Sequence, residues 1–593
     1  MDCSDFDNAI HCSVTRGCKW DPSADPLDMD SLGEYMTYLV VHGVSNAEDF
    51  IDDDSPQSRA LQFIAVDDGL NLSVPDGDLD TPEGYEFVTR YALTVLYYST
   101  MGDRWVYTLN FLRPLSVCYW YSELQYPDES SEFRGVYCER GEGEPLSLLL
   151  ERQNMEGSLP AEISFITSLT DIDVDFNMLS GSIPESYGQL TGLTNFYASS
   201  NRLVGSFPAW LVDLGQLENI NLSHNYFTGM LPSSIGTMES IIGIAIDNNL
   251  FDGGIQDAFD TSMINGLRNL EQFYIENNQF TGALGPNFMK NLTKLEYLDI
   301  SDNYFNGTVD VHLFELPQLK VLDLHDNEFD TLPDQFPVHN NFTFLALQKC
   351  NFSSQTIPSS ISNLRALKHL DLSQNEFTGE IPSTIGAMTD LTYLFLAEND
   401  FVANSIPGWI EGLAFLEELS LKSTQRTGTI PSFLGDLTYL VLLDLDNNNL
   451  VGNIPSELGN LSELHVLLLN RNNLTSTIPD SFADLRNLKL IFLDANDDIQ
   501  GDLDALFCSN PLFLIKPVIV ASCDVCDAAA FDCCTSCCEG TSECNPGIHV
   551  PDLDPIWQLN YDRVFFTFAR EDFFDKNKEP LEAAVSRAGD SVP

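Results

Sequence analysis

From about residue 146 to residue 507, apolar and polar positions recur in one frame, LxxLxLxxN. It reads LTDIDVDFN to Asn177, LTNFYASSN to Asn201 and LENINLSHN to Asn225. It continues as LEQFYIENN to Asn278, LEYLDISDN to Asn303, LKVLDLHDN to Asn327, LKHLDLSQN to Asn375 and LTYLFLAEN to Asn399. The last position of the frame falls at 153, 177, 201, 225, 249, 278, 303, 327, 350, 375, 399, 424, 448, 472 and 496, mostly 24 residues apart. Gln153, Cys350 and Thr424 replace the Asn, and residues 251–265 carry a five-residue expansion. Side chains alternate across a strand, so the two apolar residues of LxL face inward on a short strand. One such unit cannot bury its apolar face alone, whereas stacked units bury a continuous core beneath a parallel sheet. The Asn turns inward at the strand end, where its amide satisfies backbone groups of the neighbouring coil. Cys350 at that place is expected to be a buried, free and inert thiol.

The second half of each unit is xhxGxIP, as in LSGSIP to Pro184, LVGSFP to Pro208, FTGMLP to Pro232, FTGEIP to Pro382, RTGTIP to Pro431 and LVGNIP to Pro455. The Gly permits a bend and the Pro fixes φ where the chain enters the convex side. Over about 360 residues this resembles the plant-type leucine-rich repeat of receptor-kinase ectodomains, receptor-like proteins and polygalacturonase-inhibiting proteins. The resemblance implies an α/β solenoid: a right-handed superhelix of about 15 repeats of roughly 24 residues, with a parallel concave sheet and disulfide-rich N- and C-terminal caps. Between Asn249 and Asn327 the turn sequences GGIQDAF, GALGPNF and GTVDVHLF depart from the pattern, so an irregular convex ridge is expected there.

The chain divides into an acidic, partly helical extension (1–84), an N-terminal cap (85–145), the repeats (146–507), a Cys-rich cap (508–546) and an aromatic segment with a polar tail (547–593). YEFVTRYALTVLYYSTMGDRW is amphipathic at helical spacing and leads through CYWY and RGVYC to the first strand. This order resembles the N-terminal cap of plant-type repeats, which implies a Cys118–Cys138 disulfide. Together with DSPQSRALQFIAVDD it looks most like secreted or membrane-anchored repeat proteins of stramenopile algae. At the other end Cys508 and Cys523 bracket the last coil. Cys523, Cys526, Cys533, Cys534, Cys537, Cys538 and Cys544 crowd into 22 residues. Two CxxC pairs there are compatible with zinc, but no His lies among them, and a disulfide framework suits such a solenoid better. Pairing ten cysteines this way leaves Cys3, Cys12, Cys18 and Cys350, so an odd thiol remains if Cys350 is reduced. A further cysteine upstream of Met1 is then expected. The first 20 residues have neither a basic n-region nor an apolar h-region, which fits a cytosolic chain or one that begins downstream of a removed leader.

Charge narrows the function. Among 593 residues, 89 Asp and Glu face 28 Lys and Arg, a formal −61. Nucleic-acid binding and docking on anionic membranes both require basic faces and are excluded as main functions. No apolar run approaches the roughly 20 residues that cross a bilayer, so direct membrane insertion is not expected. So acidic a surface repels itself at low salt and is tolerated at high salt, which fits a saline external milieu. Catalysis has no footing in GxSxG, HExxH, a phosphate loop or a kinase signature. Sequons stand at Asn71, Asn221, Asn291, Asn306, Asn341, Asn351, Asn460 and Asn473; a glycan on Asn221 would block the concave strand, and the other seven are glycosylation candidates.

Function on such a fold belongs to the concave x positions, read as exposed, parallel and rigid. The candidates are Asp171, Asp173, Tyr197, Asn221, His224, Tyr274, Glu276, Tyr297, Asp299, Asp323, His325 and Asp326, an acidic row with interspersed Tyr and His. They suit a basic or hydroxyl-rich ligand anchored by aromatics. No cofactor or dedicated metal site is expected. Asp299 and Asp323, about 5 Å apart on adjacent strands, allow weak Ca²⁺ binding at most, without an EF-hand loop. The expected function is an extracellular or cell-surface, non-enzymatic recognition module for a peptide, protein or glycan, with a co-receptor or a second copy as a further partner. The alternatives are a secreted inhibitor of a wall-degrading hydrolase and an acidic, Ca²⁺-gathering coat protein.

Overall fold

The structure, a computed structural model, describes residues 26–125, 131–138, 144–255, 266–285, 292–338, 341–496, 498–501, 503, 506–507, 517–522 and 534–538. Three helices open it: α1 (Pro26–Val41), α2 (Pro56–Gln62) and α3 (Pro82–Ser99). Helix α3 starts where its sequence says it should. Thr81 accepts the Gly84 amide at 3.0 Å, and Pro82 occupies the first turn, where no N–H is missed. Leu39, Leu61, Phe87, Tyr91 and Val95 share one apolar core, so the helical part of residues 1–84 is built into the cap. Strands β1 (Tyr121–Gln125), β2 (Ser131–Cys138) and β3 (Pro145–Leu149) follow as an antiparallel run. The Cys118–Cys138 disulfide closes this cap, as the resemblance implied. Ser45 then ties it to the first repeat, donating to Glu162 Oε1 at 2.7 Å.

The described residues form two compact units. One runs to Gly253 and takes in residues 266–270; the other holds Gly254, Ile255 and the chain from Glu271 onward. In the first unit β3 is followed by parallel three-residue strands Asp171–Asp173, Asn195–Tyr197, Asn219–Asn221 and Gly243–Ala245, each in register with the last. In the second the same ladder runs through Gln272–Tyr274, Tyr297–Asp299, Val321–Asp323, Phe344–Ala346, His369–Asp371 and on to Leu490–Phe492. Strands Val518–Ser522 and Cys534–Cys538 extend it beyond the last repeat, inside the segment read as a Cys-rich cap.

The repeat Asn does what its chemistry requires. Asn177 donates to Leu150 O, Val174 O and Asp175 O at 2.9–3.0 Å and accepts from the Gln153 and Met155 amides. The residue before it takes the left-handed conformation in unit after unit: Phe176, Ser200, His224 and Asn248 in the first, Asn277, Asp302, Asp326, Lys349, Gln374 and Glu398 in the second, all with φ of 47–54°. Two places later a large apolar residue points inward, and the aromatics there stack. Phe280–Phe305 and Phe305–Phe329 lie 6.3 and 6.4 Å apart and nearly parallel. Next, the Gly bends the chain at positive φ, as at Gly181 (79°), and the Pro leads a short 3-10 turn.

The substituted units are satisfied differently. Thr424 has no side-chain amide, and its hydroxyl donates to Leu421 O, the carbonyl three residues back that the repeat Asn also takes; the buried guanidinium of Arg426 adds bonds to Thr424 O and, at 2.8 Å, to Val402 O. Cys350 is buried and free, and its thiol points at Leu324 O. Burial pushes that thiol up to about 12, so alkylation of the native protein should leave Cys350 unmodified until the repeats unfold. Labelling at the rate of an exposed thiol, read by peptide mass spectrometry, would contradict this. Of the irregular convex ridge expected between Asn249 and Asn327, residues 256–265 and 286–291 lie outside the described residues. Strand Tyr304–Thr308 shifts register against Glu328–Thr331 between Gly307 and Thr308, while the turn Val311–Glu315 buries Leu313 and Phe314 as a regular apolar pair. Just past Cys350 the strand is lost, and a single bridge, Ser353 to Glu376, remains.

Candidate functional site

The middle column of the concave sheet is not exposed, which corrects the sequence expectation. Asp173, Tyr197, Asn221, Tyr274, Asp299 and Asp323 are all buried, as is Asp171 in the flanking column. Each lies on a strand with in-register neighbours about 4.8 Å away, and most also bond along or across strands. Asp171 accepts from Ser147 Oγ at 3.0 Å and from Asn195 Nδ2 at 2.5 Å. The tyrosines lie flat rather than standing out: Tyr197 Oη donates to Asn195 Oδ1 at 3.2 Å, and Tyr274 Oη to Gln272 Oε1 at 3.0 Å. Asn221 is buried and its Oδ1 accepts the Ser223 amide at 3.2 Å, a packing that leaves no room for a glycan. Asn71, Asn306, Asn341, Asn351, Asn460 and Asn473 are exposed, and Asn291 lies outside the described residues.

Burial in a low-dielectric strip disfavours the charged form of an acid. Asp299 is pushed up to about 8, first by burial and then by the neighbouring Asp323. Asp371 rises to about 6, mainly through burial, and Asp444 to about 7 through burial and the Asp446 charge. His369 stacks on Phe344 at 4.2 Å, and burial holds it neutral, down to about 3. The Asp299–Asp323 pair is therefore a closed, hydrogen-bonded feature: Asp299 accepts from Ser301, and Asp323 Oδ1 holds His325 Nδ1 at 2.6 Å.

Display happens one column over, at the strand ends. His224 and Asp302 are exposed, and Glu276, Tyr297, His325 and Asp326 are half-buried. In the second unit this edge is a chain of charges stepping from coil to coil. His325 Nε2 lies 3.4 Å from Asp302 Oδ2 and 3.9 Å from Asp326 Oδ2, and Lys349 Nζ lies 2.9 Å from Asp326 Oδ2. Gln374 then meets Glu398 at 3.2 Å, and Lys422 meets Glu398 at 3.2 Å. Arg471 clasps the two oxygens of Asp446 with Nε and Nη2. Lys349, Glu398, Lys422 and Arg471 were not singled out from sequence. Their signal was positional, since most share the left-handed place beside the repeat Asn. Of the C-terminal cysteines, Cys508, Cys523, Cys526, Cys533 and Cys544 lie outside the described residues, and for Cys534, Cys537 and Cys538 only the backbone strand is described.

Short in-register strands, an inward Asn ladder and a Gly–Pro turn into the convex side make this an α/β solenoid of leucine-rich repeats, similar in its repeat to the plant-type class. Family models described as leucine-rich repeat region, at residues 340–450, and leucine-rich repeat, at 268–329, 216–238 and 463–485, match it. It is 39% identical over 125 residues to Receptor-like protein 39 of Arabidopsis thaliana, covering 20% of this chain and 14% of that protein. The matched part is thus about one seventh of that curated relative. Among solved structures it is similar to the plant peptide hormone receptor RGFR1 in complex with RGF2, with a TM-score of 0.53 and 26% identity over 64% of this chain and 63% of that one. It is also similar to the Arabidopsis receptor kinase HAESA in complex with the peptide hormone IDA and the co-receptor SERK1, with a TM-score of 0.50 and 28% identity over 63% and 62%.

Proposed function

We propose that the protein is a non-enzymatic, receptor-like recognition module of the cell exterior that takes a cationic peptide or protein segment along its strand-end edge. The observation that carries this reading is the array of charged side chains at that edge, with Asp302 exposed and Glu276, His325 and Asp326 half-buried on neighbouring coils. A rigid array of fixed spacing suits an extended chain, whose own residues repeat at about 3.3 Å. The buried middle column supplies rigidity beneath it rather than contacts. Two similar solenoids are peptide receptors by title, one of them with a co-receptor, which supports a peptide ligand and a second protein partner here. The cap disulfide and the exposed sequons support an oxidising, external compartment.

The test is biolayer interferometry of the full chain against cationic and anionic peptide libraries, in EDTA. Binding confined to cationic peptides is expected, weakening as salt screens the surface. Glu276→Lys with Asp302→Lys should weaken it at least tenfold. Equal binding of both libraries, or charge-reversed protein that binds as well as the wild type, would overturn the proposal.

A further inference from the structure

We propose that Asp302, His325 and Asp326 form a site for a divalent transition cation of the zinc class. The argument begins with the backbone. Asp302 and Asp326 occupy the same place in successive units, both left-handed, with φ of 49° and 47°, so their carboxylates project in parallel from neighbouring coils. His325 sits beside Asp326 and brings Nε2 between them. It lies 3.4 Å from Asp302 Oδ2 and 3.9 Å from Asp326 Oδ2, and the three ligand atoms all fall within 4.8 Å of one another. Bonds of about 2.1 Å in a tetrahedral site place ligand atoms roughly 3.4 Å apart, so one edge already has the required length.

An independent feature points the same way. Asp323 is fully buried, and its Oδ1 accepts from the His325 amide at 3.0 Å and from the ring Nδ1 at 2.6 Å. That fixes the tautomer with Nδ1 protonated and leaves Nε2 as the donor to a cation. A buried carboxylate orienting the far nitrogen of a ligating His is the usual support of a metal site. The other oxygen of Asp323 is buried with no hydrogen-bond partner among the described residues. Lys349, bonded to Asp326, is the competing cation. Its side chain is 44% exposed and is free to swing into solvent when a metal takes that oxygen. The nitrogen donor selects against Ca²⁺, which takes six to eight oxygens. Three protein ligands leave a fourth position for water.

The test is equilibrium dialysis of the full chain against ZnCl₂ after alkylation of accessible thiols, which removes the Cys-rich segment as a competing site. One equivalent at micromolar zinc is expected. Asp302→Asn and His325→Ala should each weaken it at least tenfold, and Asp323→Asn by tenfold to a hundredfold. Asp302 is largely at the surface, so Asp302→Asn should melt like the wild type in EDTA, which separates loss of metal from loss of fold. Wild-type protein that retains no zinc, or Asp302→Asn and His325→Ala proteins that retain it unchanged, would show an ion-pair network only and overturn the proposal.

Discussion

Asp68→Ala should cost the N-terminal cap about 3–5 kcal/mol, because it strands a buried charge. Arg90 and Asp68 are both inaccessible to solvent inside the helical cap. The guanidinium gives Nε and Nη2 to the two Asp68 oxygens at 2.5 and 2.8 Å. Nη1 donates to Leu115 O at 2.7 Å and Nη2 also to Arg113 O at 2.9 Å, so four of the five N–H donors are taken. The face of Trp120 covers it at 4.6 Å. With its side chain 1% exposed, the cation is held almost wholly by protein. Removing the carboxylate leaves that cation desolvated without its counter-charge, whereas replacing both partners by apolar residues removes the desolvation cost as well. Asp68→Leu with Arg90→Met should therefore be milder than Asp68→Ala alone. Urea unfolding followed by tryptophan fluorescence reads the difference through Trp105 and Trp120, both buried in this cap. A loss below about 1 kcal/mol for the single variant, the range of exposed pairs, would mean that water reaches Arg90 after all. Because a solenoid couples neighbour to neighbour, loss of the cap should also lower the unfolding midpoint of the first repeats, to which Ser45 and Tyr85 tie it.

The solenoid was legible because its determinants are local and repeated. The LxL pair, the Asn and the Gly–Pro turn each act within one or two coils, so a frame found fifteen times is read with little ambiguity. The Arg90–Asp68 pair was not legible. Its members stand 22 residues apart, Arg90 on an amphipathic helix and Asp68 in the loop before it, and helical spacing does not say which loop residue meets the helix. The site was half legible. The repeat names the concave column correctly, but side-chain alternation says only which face a residue takes, and it is silent on how much of that face its neighbours cover. Tyr197 and Tyr274 were read as projecting anchors and instead lie along their own strands, bonded two residues back. The residues that do project, Asp302 and Asp326, owe their direction to a left-handed turn. Asn and Asp tolerate that conformation, yet Lys349 and Glu398 adopt it too, so residue type alone does not announce it. The buried column is closed by its own hydrogen bonds, and the charges beside it at the strand ends are the ones that reach solvent.

That buried column makes stability depend on pH, and Asp444→Asn isolates the effect. Asp444 is fully buried, and burial with the adjacent Asp446 charge raises its carboxyl from 3.8 to about 7, against the opposing pull of the Asp446 amide, Ser420 and Lys422. Between those two values the folded chain keeps a proton that the unfolded chain has lost. The associated stability is complete below about pH 4 and is lost as pH rises through about 7. Asp299, raised to about 8, acts in the same direction. His369 acts in the opposite sense. Its neutral form is enforced down to about 3, so its contribution stands above 6.5 and falls away as pH drops from there. Above about pH 6.5 only the carboxyls remain in play, and the melting temperature should fall from about pH 6.5 to about pH 8.5. Asn keeps the acceptor oxygen that Asp444 offers the Asp446 amide at 3.0 Å and removes the charge. At about pH 8.5 Asp444→Asn should exceed the wild type by about 1–3 kcal/mol, since each pKa unit is worth about 1.4 kcal/mol; at about pH 5 the difference should shrink. Calorimetry in about 0.5 M NaCl, which screens the general repulsion of so acidic a surface, is the measurement. A difference between variant and wild type that stays constant with pH would place the charge of Asp444 in contact with water and remove the basis for treating the column as a dry, load-carrying strip.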